Sequence, residues 1–212
     1  MVPRLTIPNC ILSGKLPSRR RLAPRSLVAT IAMLCILMAS CSLFETRDPE
    51  DPGTTTVPVF IQPDRPQDVI QNLQNAVRAV NLDNYRRCLK ESFTYQPSSG
   101  AQSSNPDLWQ GWGFAEEEVY FNNMRAETEG LSGHELRLDD RRFVQISQDQ
   151  EQFDADYEIT VQHNRQGLPV VAAGRMRLII VRDESGSWSI ESWSDAAEGS
   201  DFTWSDFRAA FL

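Results

Sequence analysis

From Pro66 onward, Val69, Ile70, Leu73, Ala76, Val77 and Val80 recur at intervals of three and four, laying one apolar stripe along an otherwise polar helix. Proline suits the first turn of such a helix, where its missing N–H has no partner to lose. One side of this helix must be covered. Asn81 or Asp83 can cap a second, shorter helix carrying Tyr85, Cys88 and Leu89, after which Phe93-Thr94-Tyr95 reads as extended chain. Residues 97–107, rich in Ser, Gly, Asn and Pro, read as a loop and not as a packed element. Trp109, Trp112 and Phe114 lead into a third helix with Glu116, Glu117 and Glu118 in its first turn, where carboxylates meet the positive end of the helix dipole. Val119, Met124 and either Tyr120 or Phe121 form its buried face.

Gly130 and Gly133 end the helical part, and the period then drops from about 3.6 to 2. Strands are expected over Glu135 to Ile146, Phe153 to Asn164, Val170 to Arg182 and Ser187 to Trp193. Arg165-Gln166-Gly167 joins the second to the third, and Asp183-Glu184-Ser185-Gly186 joins the third to the fourth; connections this short imply antiparallel neighbours. A last short helix follows Thr203, with Asp206 three residues on as in a capping box, and places Trp204, Phe207 and Phe211 on one side. That tail either folds back onto the domain or offers an aromatic face to a partner. Helices first and then a meander make an α+β domain in which N-terminal helices pack on an antiparallel sheet.

The chain ahead of Pro66 is of a different kind. Arg19, Arg20, Arg21 and Arg25 precede an apolar run from Leu27 to Ala39, and Leu37-Met38-Ala39-Ser40-Cys41 closes it. A basic stretch, a short apolar stretch and small residues are the order of a secretion signal. About 13 apolar residues span roughly 20 Å as a helix, short of the ~30 Å hydrocarbon core, which disfavours a permanent span. Residues 44–56 are polar and proline-punctuated, so residues 41–65 read as a tether reaching at most roughly 75 Å. A local alternative, an arm packed on the domain, is favoured around Val57 to Ile61. The organisation expected is a signal over 1–40, a linker over 41–65, the α+β domain over 66–194 and a tail over 195–212.

Discarding residues 1–40 removes six of the 21 basic residues and none of the 29 acidic ones. A formal charge of about −14 then repels phosphate backbones, so nucleic acid is not an expected partner. Cys10 and Cys35 fall in the discarded segment, and Cys88 alone remains in the folded part, so the core holds without a disulfide. At helical spacing from Tyr85, Cys88 reads as a buried, inert thiol.

The segment ending at Cys41 resembles the lipobox of bacterial lipoproteins, with Met38 in place of the more usual Leu. The resemblance implies cleavage before Cys41 and lipid attachment to it. Ser42 in second place resembles lipoproteins sent to the outer membrane of cells that have one, so the implied location is the cell envelope, outside the cytoplasm. Residues 66–194 are similar to the nuclear transport factor 2-like (NTF2-like, or SnoaL-like) superfamily. The similarity lies in the order of Ala79-Val80-Asn81-Leu82-Asp83-Asn84-Tyr85, Phe93-Thr94-Tyr95 and Trp188-Ser189-Ile190-Glu191-Ser192-Trp193. It implies a cone of curved sheet wrapped around the helices. The chain also looks like uncharacterised bacterial lipoproteins in which such a domain follows the anchor.

Enzymes on that fold use Asp, His and Tyr inside the cone, because proton transfer needs tuned groups in a water-poor pocket. The chain has two histidines. His163 alternates with Tyr157, Ile159 and Val161 and shares their sheet face; with Asp154 or Asp156 it could form a proton-transfer pair, and otherwise it lies on the rim. His134, after a glycine, reads as a surface residue. No zinc spacing, phosphate loop or nucleophile elbow is present, so no cofactor, metal or catalytic residue is assigned. The five tryptophans are mainly core, with Tyr95, Trp112, Tyr157 and His163 as the candidate cavity lining. The expected function is a lipid-anchored envelope protein acting as a non-enzymatic binding or assembly module. The alternatives are a SnoaL-like isomerase, dehydratase or hydrolase acting on a small apolar molecule, and a structural subunit of an envelope complex with an exposed patch at Trp204 and Phe207.

Overall fold

The computed structural model describes residues 59–212; the segment expected to be a signal, Cys41 and most of the expected tether lie outside them. Helix α1, Pro66–Ala79, buries Val69, Ile70, Leu73, Ala76 and Val77, the stripe expected from the sequence. Asp68 closes its first turn by accepting from the Arg65 backbone N–H at 3.1 Å, where a free amide would otherwise lack a partner. Asn81, and not Asp83, caps α2, Leu82–Arg87, accepting from the Asn84 amide at 2.9 Å. The chain then extends as β1, Leu89–Gln96.

The expected loop over 97–107 contains a short helix, α3, Ser99–Ser104. Its composition is poor for helix, and the signal that forms it lies far away in sequence. The Ser98 amide donates to Ser205 Oγ at 2.9 Å and the Ser98 hydroxyl lies 3.2 Å from that of Thr203, which fixes the residue that caps the helix. Helix α4, Phe114–Glu127, also corrects the sequence reading. Its buried residues are Glu117, Tyr120, Phe121 and Met124, whereas Val119 is 48% exposed. Those four positions share one helical face, and Val119 lies off it.

Strands β2 (Glu135–Ser147), β3 (Gln150–Thr160), β4 (Val171–Arg182) and β5 (Trp188–Ala196) form the antiparallel meander. β1 adds to the free edge of β5 in parallel, giving the order β1-β5-β4-β3-β2 in a five-stranded, unclosed sheet. Register shifts within β2 and between Ile179 and Ile180 mark irregularities of the kind that bend a sheet. Phe153, Ala155, Tyr157 and Ile159 of β3 face inward beside Ala172, Met176, Leu178 and Ile180 of β4. The opposite face carries cross-strand ion pairs, Asp154 with Arg177 and Asp156 with Arg175. At Gly174 a Cβ would lie 2.5 Å from the Ala196 carbonyl and 2.8 Å from Tyr157 Oη, so only glycine lets these groups approach.

Helix α5, Trp204–Phe211, starts as expected, with the Thr203 amide donating to Asp206 at 2.7 Å. Trp204, Phe207 and Phe211 are fully buried, so the aromatic face is turned inward and is not offered to a partner. β5 runs on to Ala196, and the tail from Thr203 completes the core. At the other end, Asn72 of α1 clamps the incoming chain. Its Oδ1 accepts from the Ile61 amide at 2.8 Å and its Nδ2 donates to the Ile61 carbonyl at 2.6 Å. The Trp188 amide donates to the Pro63 carbonyl at 2.9 Å, and Arg87 stacks 3.6 Å over the Phe60 ring. Among the described residues, this part of the linker is therefore an arm packed on the domain.

Candidate functional site: a polar network sealed inside the sheet

Two buried carboxylates, Glu117 of α4 and Asp195 of β5, organise the interior, and α5 meets both. Arg208 reaches Glu117 with Nε at 2.9 and 3.0 Å and Nη2 at 2.6 Å, and both side chains are fully buried. The Tyr85 hydroxyl donates to Glu117 Oε1, and Trp112 Nε1 donates to Oε2 at 2.7 Å. The guanidinium carbon lies 4.1 Å from the Tyr95 ring centroid and 4.4 Å from that of Trp193, so aromatic faces enclose the cation. Burial works against the Arg208 charge, but the Glu117 carboxylate beside it outweighs this and holds the group protonated.

Asp195 sits at the second node. Tyr157 Oη donates to its Oδ1 at 2.7 Å, and the Ser205 amide donates to Oδ2 at 2.8 Å, with the Ser205 hydroxyl on the same oxygen. Tyr157 Oη in turn accepts from the Trp204 amide at 2.7 Å, so one of the first amides of α5 finds a side-chain partner inside the protein. The Tyr95 hydroxyl lies 2.6 Å from Ser205 Oγ and 3.3 Å from Asp195. Burial raises the phenols of Tyr85, Tyr95, Tyr120 and Tyr157 above their ordinary range, opposed at the first three by the Arg208 charge and aided throughout by the buried carboxylates. Neutral phenols are the donors such carboxylates need in a dry interior.

Of the candidate lining residues, Tyr95, Trp112 and Tyr157 are buried, and α5 meets two of them through Ser205 on Tyr95 and the Trp204 amide on Tyr157. His163 stands apart, past the end of β3. Its Nδ1 accepts from the Arg165 amide at 3.2 Å, its Nε2 lies 3.1 Å from the Pro169 carbonyl, and its ring packs edge-on against Phe207 and Phe211. Asp154 and Asp156 are engaged by arginines on the opposite face, so the structure does not bring His163 together with either. The sequence reading placed Glu117 only as a first-turn carboxylate and passed over Asp195, Ser205 and Arg208. The signal was there for two of them: Glu117 shares a helical face with Tyr120, Phe121 and Met124, and Arg208 follows Trp204 by one turn.

Surface depressions lie elsewhere. A groove of about 890 Å³ runs between the C-terminal ends of α1 and α4, lined by Arg78, Val80, Arg125, Thr128, Leu131 and His134. His134 itself is 6% exposed, buried where a surface residue was expected. Among the described residues no group of three His, Cys, Asp or Glu is placed to hold a metal ion.

No family model matches this chain, and no curated protein matches it. Solved structures do. A provisionally named aromatic ring hydroxylase from Novosphingobium aromaticivorans is 19% identical, with a TM-score of 0.51 over 66% of this chain and 92% of that one. An NTF2-like protein from Cytophaga hutchinsonii is 12% identical over 62% of this chain and 94% of that one, at a TM-score of 0.47. A ketosteroid isomerase-like protein from Erwinia carotovora atroseptica is also 12% identical, over 63% and 94%, at 0.46. At these identities the likeness concerns the fold alone. That fold is α+β, helices packed on a curved, unclosed five-stranded sheet.

Proposed function

We propose that this chain is a lipid-anchored protein of the cell envelope whose domain serves as a binding or assembly module rather than as a catalyst. The observation that carries this reading is α5. In a catalytic cone the inward-facing acid and base groups must be free to meet a substrate. Here Glu117 and Asp195 are saturated by groups of the protein itself, Arg208, Ser205, Tyr85, Trp112 and Tyr157. A substrate would have to displace a buried, charge-paired helix to reach them. The acidic exterior and the clamped arm leading back toward Cys41 fit a body held off a membrane by its linker.

Two measurements test the two halves of the proposal. Replacing Cys41→Ser should move the protein from the membrane to the soluble fraction, and mass spectrometry of the mature wild type should find acyl chains on Cys41; an intact Met1 or a bare thiol would refute lipid anchoring. Xenon-pressurised crystals should show no xenon among Tyr95, Trp112, Tyr157 and Trp204, since an apolar cavity large enough for a substrate would take it up. Xenon bound there would return the enzyme reading, a small apolar substrate on a SnoaL-like scaffold, to first place.

A further inference from the structure

Both histidines of the chain are held by the same pair of backbone bonds, and the bonds of both involve the chain just past the end of β3. His134 Nδ1 faces the Gln162 amide at 3.2 Å and its Nε2 faces the Leu131 carbonyl at 3.2 Å. An amide N–H can only donate and a carbonyl can only accept. The network therefore assigns the neutral ring with its proton on Nε2 and a lone pair on Nδ1. His163 repeats the arrangement on the Arg165 amide and the Pro169 carbonyl.

His134 has a structural task that His163 lacks. The last paired residues of the β2–β3 ladder are Glu135 and Thr160, and the ring carries the pairing one rung further by accepting from Gln162. Gly133, at φ +91, makes the turn that brings the ring over, and the Gln162 side chain lies against it. The segment Thr128–His134, tied down in this way, forms one wall of the groove between α1 and α4. The opposite wall includes Val80, a β-branched residue held at φ 45 in the left-handed region, a conformation that a surrounding structure must enforce.

We propose that His134 is an acid-released latch: protonation of Nδ1 removes the acceptor for the Gln162 amide, frees the Thr128–Gly133 segment from the end of β3 and opens the groove beside it. The charged groups lining that groove are Arg78 of α1, Arg125 of α4 and Glu129 of the loop. Among the described residues no carboxylate hydrogen-bonds the ring, and the Leu131 carbonyl is the one acceptor that an imidazolium keeps. Burial lowers the His134 pKa below 6.5, and the Leu131 carbonyl offsets this only in part. A depressed histidine contributes stability that is complete above about 6.5 and is lost as pH falls from there through the folded value.

Amide hydrogen exchange of the full-length protein between pH 7.5 and 4.5, corrected for intrinsic rates, reads the latch directly. Opening at Gln162 should rise by up to about tenfold per pH unit below about 6.5 and level off below the folded pKa. In His134→Asn, whose side-chain oxygen can stand in for Nδ1 without titrating, it should stay flat. The variant keeps His163, so a pH dependence that does not come from His134 would persist in it. A flat wild-type curve overturns the proposal, as does the same pH dependence in the variant. If the variant does not fold, the ring nitrogen shifts of wild-type His134 decide: a protonated Nδ1 at pH 7.5 refutes the latch, and an unprotonated Nδ1 that titrates in step with Gln162 opening supports it.

Discussion

Replacing Arg208→Met removes the cation from a fully buried pair while keeping much of the side-chain volume. Glu117 is left with Tyr85 and Trp112 as donors and without its counter-charge. Breaking a buried ion pair from one side costs about 3–5 kcal/mol, most of it the penalty of the orphaned charge. Against a total stability of roughly 5–15 kcal/mol, that is a large fraction. With an m-value of about 2 kcal/mol per M, the urea midpoint should fall by about 2 M. The reciprocal change, Glu117→Leu, orphans Arg208 among Tyr95, Trp193 and Trp204 and should cost a comparable amount. The double variant Glu117→Leu with Arg208→Met should cost clearly less than the two singles added, because each change removes the charge that the other strands. Single midpoint shifts below about 0.5 M, or a double that equals the sum of the singles, would show that the pair does not hold α5 in the sheet.

Three further outcomes are expected. All four tyrosines of the chain are buried with raised phenol pKa values, so absorbance of the native protein should show no phenolate near pH 10 and then a single cooperative rise as alkali unfolds it; gradual titration near pH 10 would contradict the sealed interior. Gly174→Ala should destabilise by about 1–3 kcal/mol in urea unfolding, since its Cβ would meet the Ala196 carbonyl and Tyr157 Oη, and a neutral result would mean that β4 and β5 can separate freely. Asp154 is half of a different story: burial alone would raise its pKa, but hydrogen bonds from Gln152 and Arg177 and the charge of Arg142 outweigh it and hold the carboxyl low. Its contribution is therefore present above about pH 3.9 and lost as pH falls through the folded value, so Asp154→Asn should flatten the acid limb of the stability curve, measured by thermal unfolding from pH 5 to 2.

The sequence by itself determined what periodicity and local chemistry can encode. The stripe of α1, the change from helix to strand after Gly133, the short turn between β4 and β5, and the Thr203 cap of α5 each depend on residues within a few positions of one another. So does the difference between the basic and apolar segment before Cys41 and the acidic domain after Pro66. Neighbour-to-neighbour geometry is the same in every context, and such features are legible without a fold. The short connection expected over Arg165-Gln166-Gly167 is not among them: β3 ends at Thr160 and β4 starts at Val171, so it is ten residues long. What lay beyond reach depends on residues a hundred positions apart. Ser98 becomes a helix cap because Ser205 and Thr203 hold it. The largest decision of this kind is where α5 lands: Tyr95, Trp112 and Tyr157 read as candidate lining residues from sequence, and the fold sets the Ser205 hydroxyl 2.6 Å from that of Tyr95 and the Trp204 amide 2.7 Å from that of Tyr157. Arg208 in an exposed helix would be an ordinary surface charge, and it becomes the centre of the core because Glu117 waits, desolvated, where the helix lands.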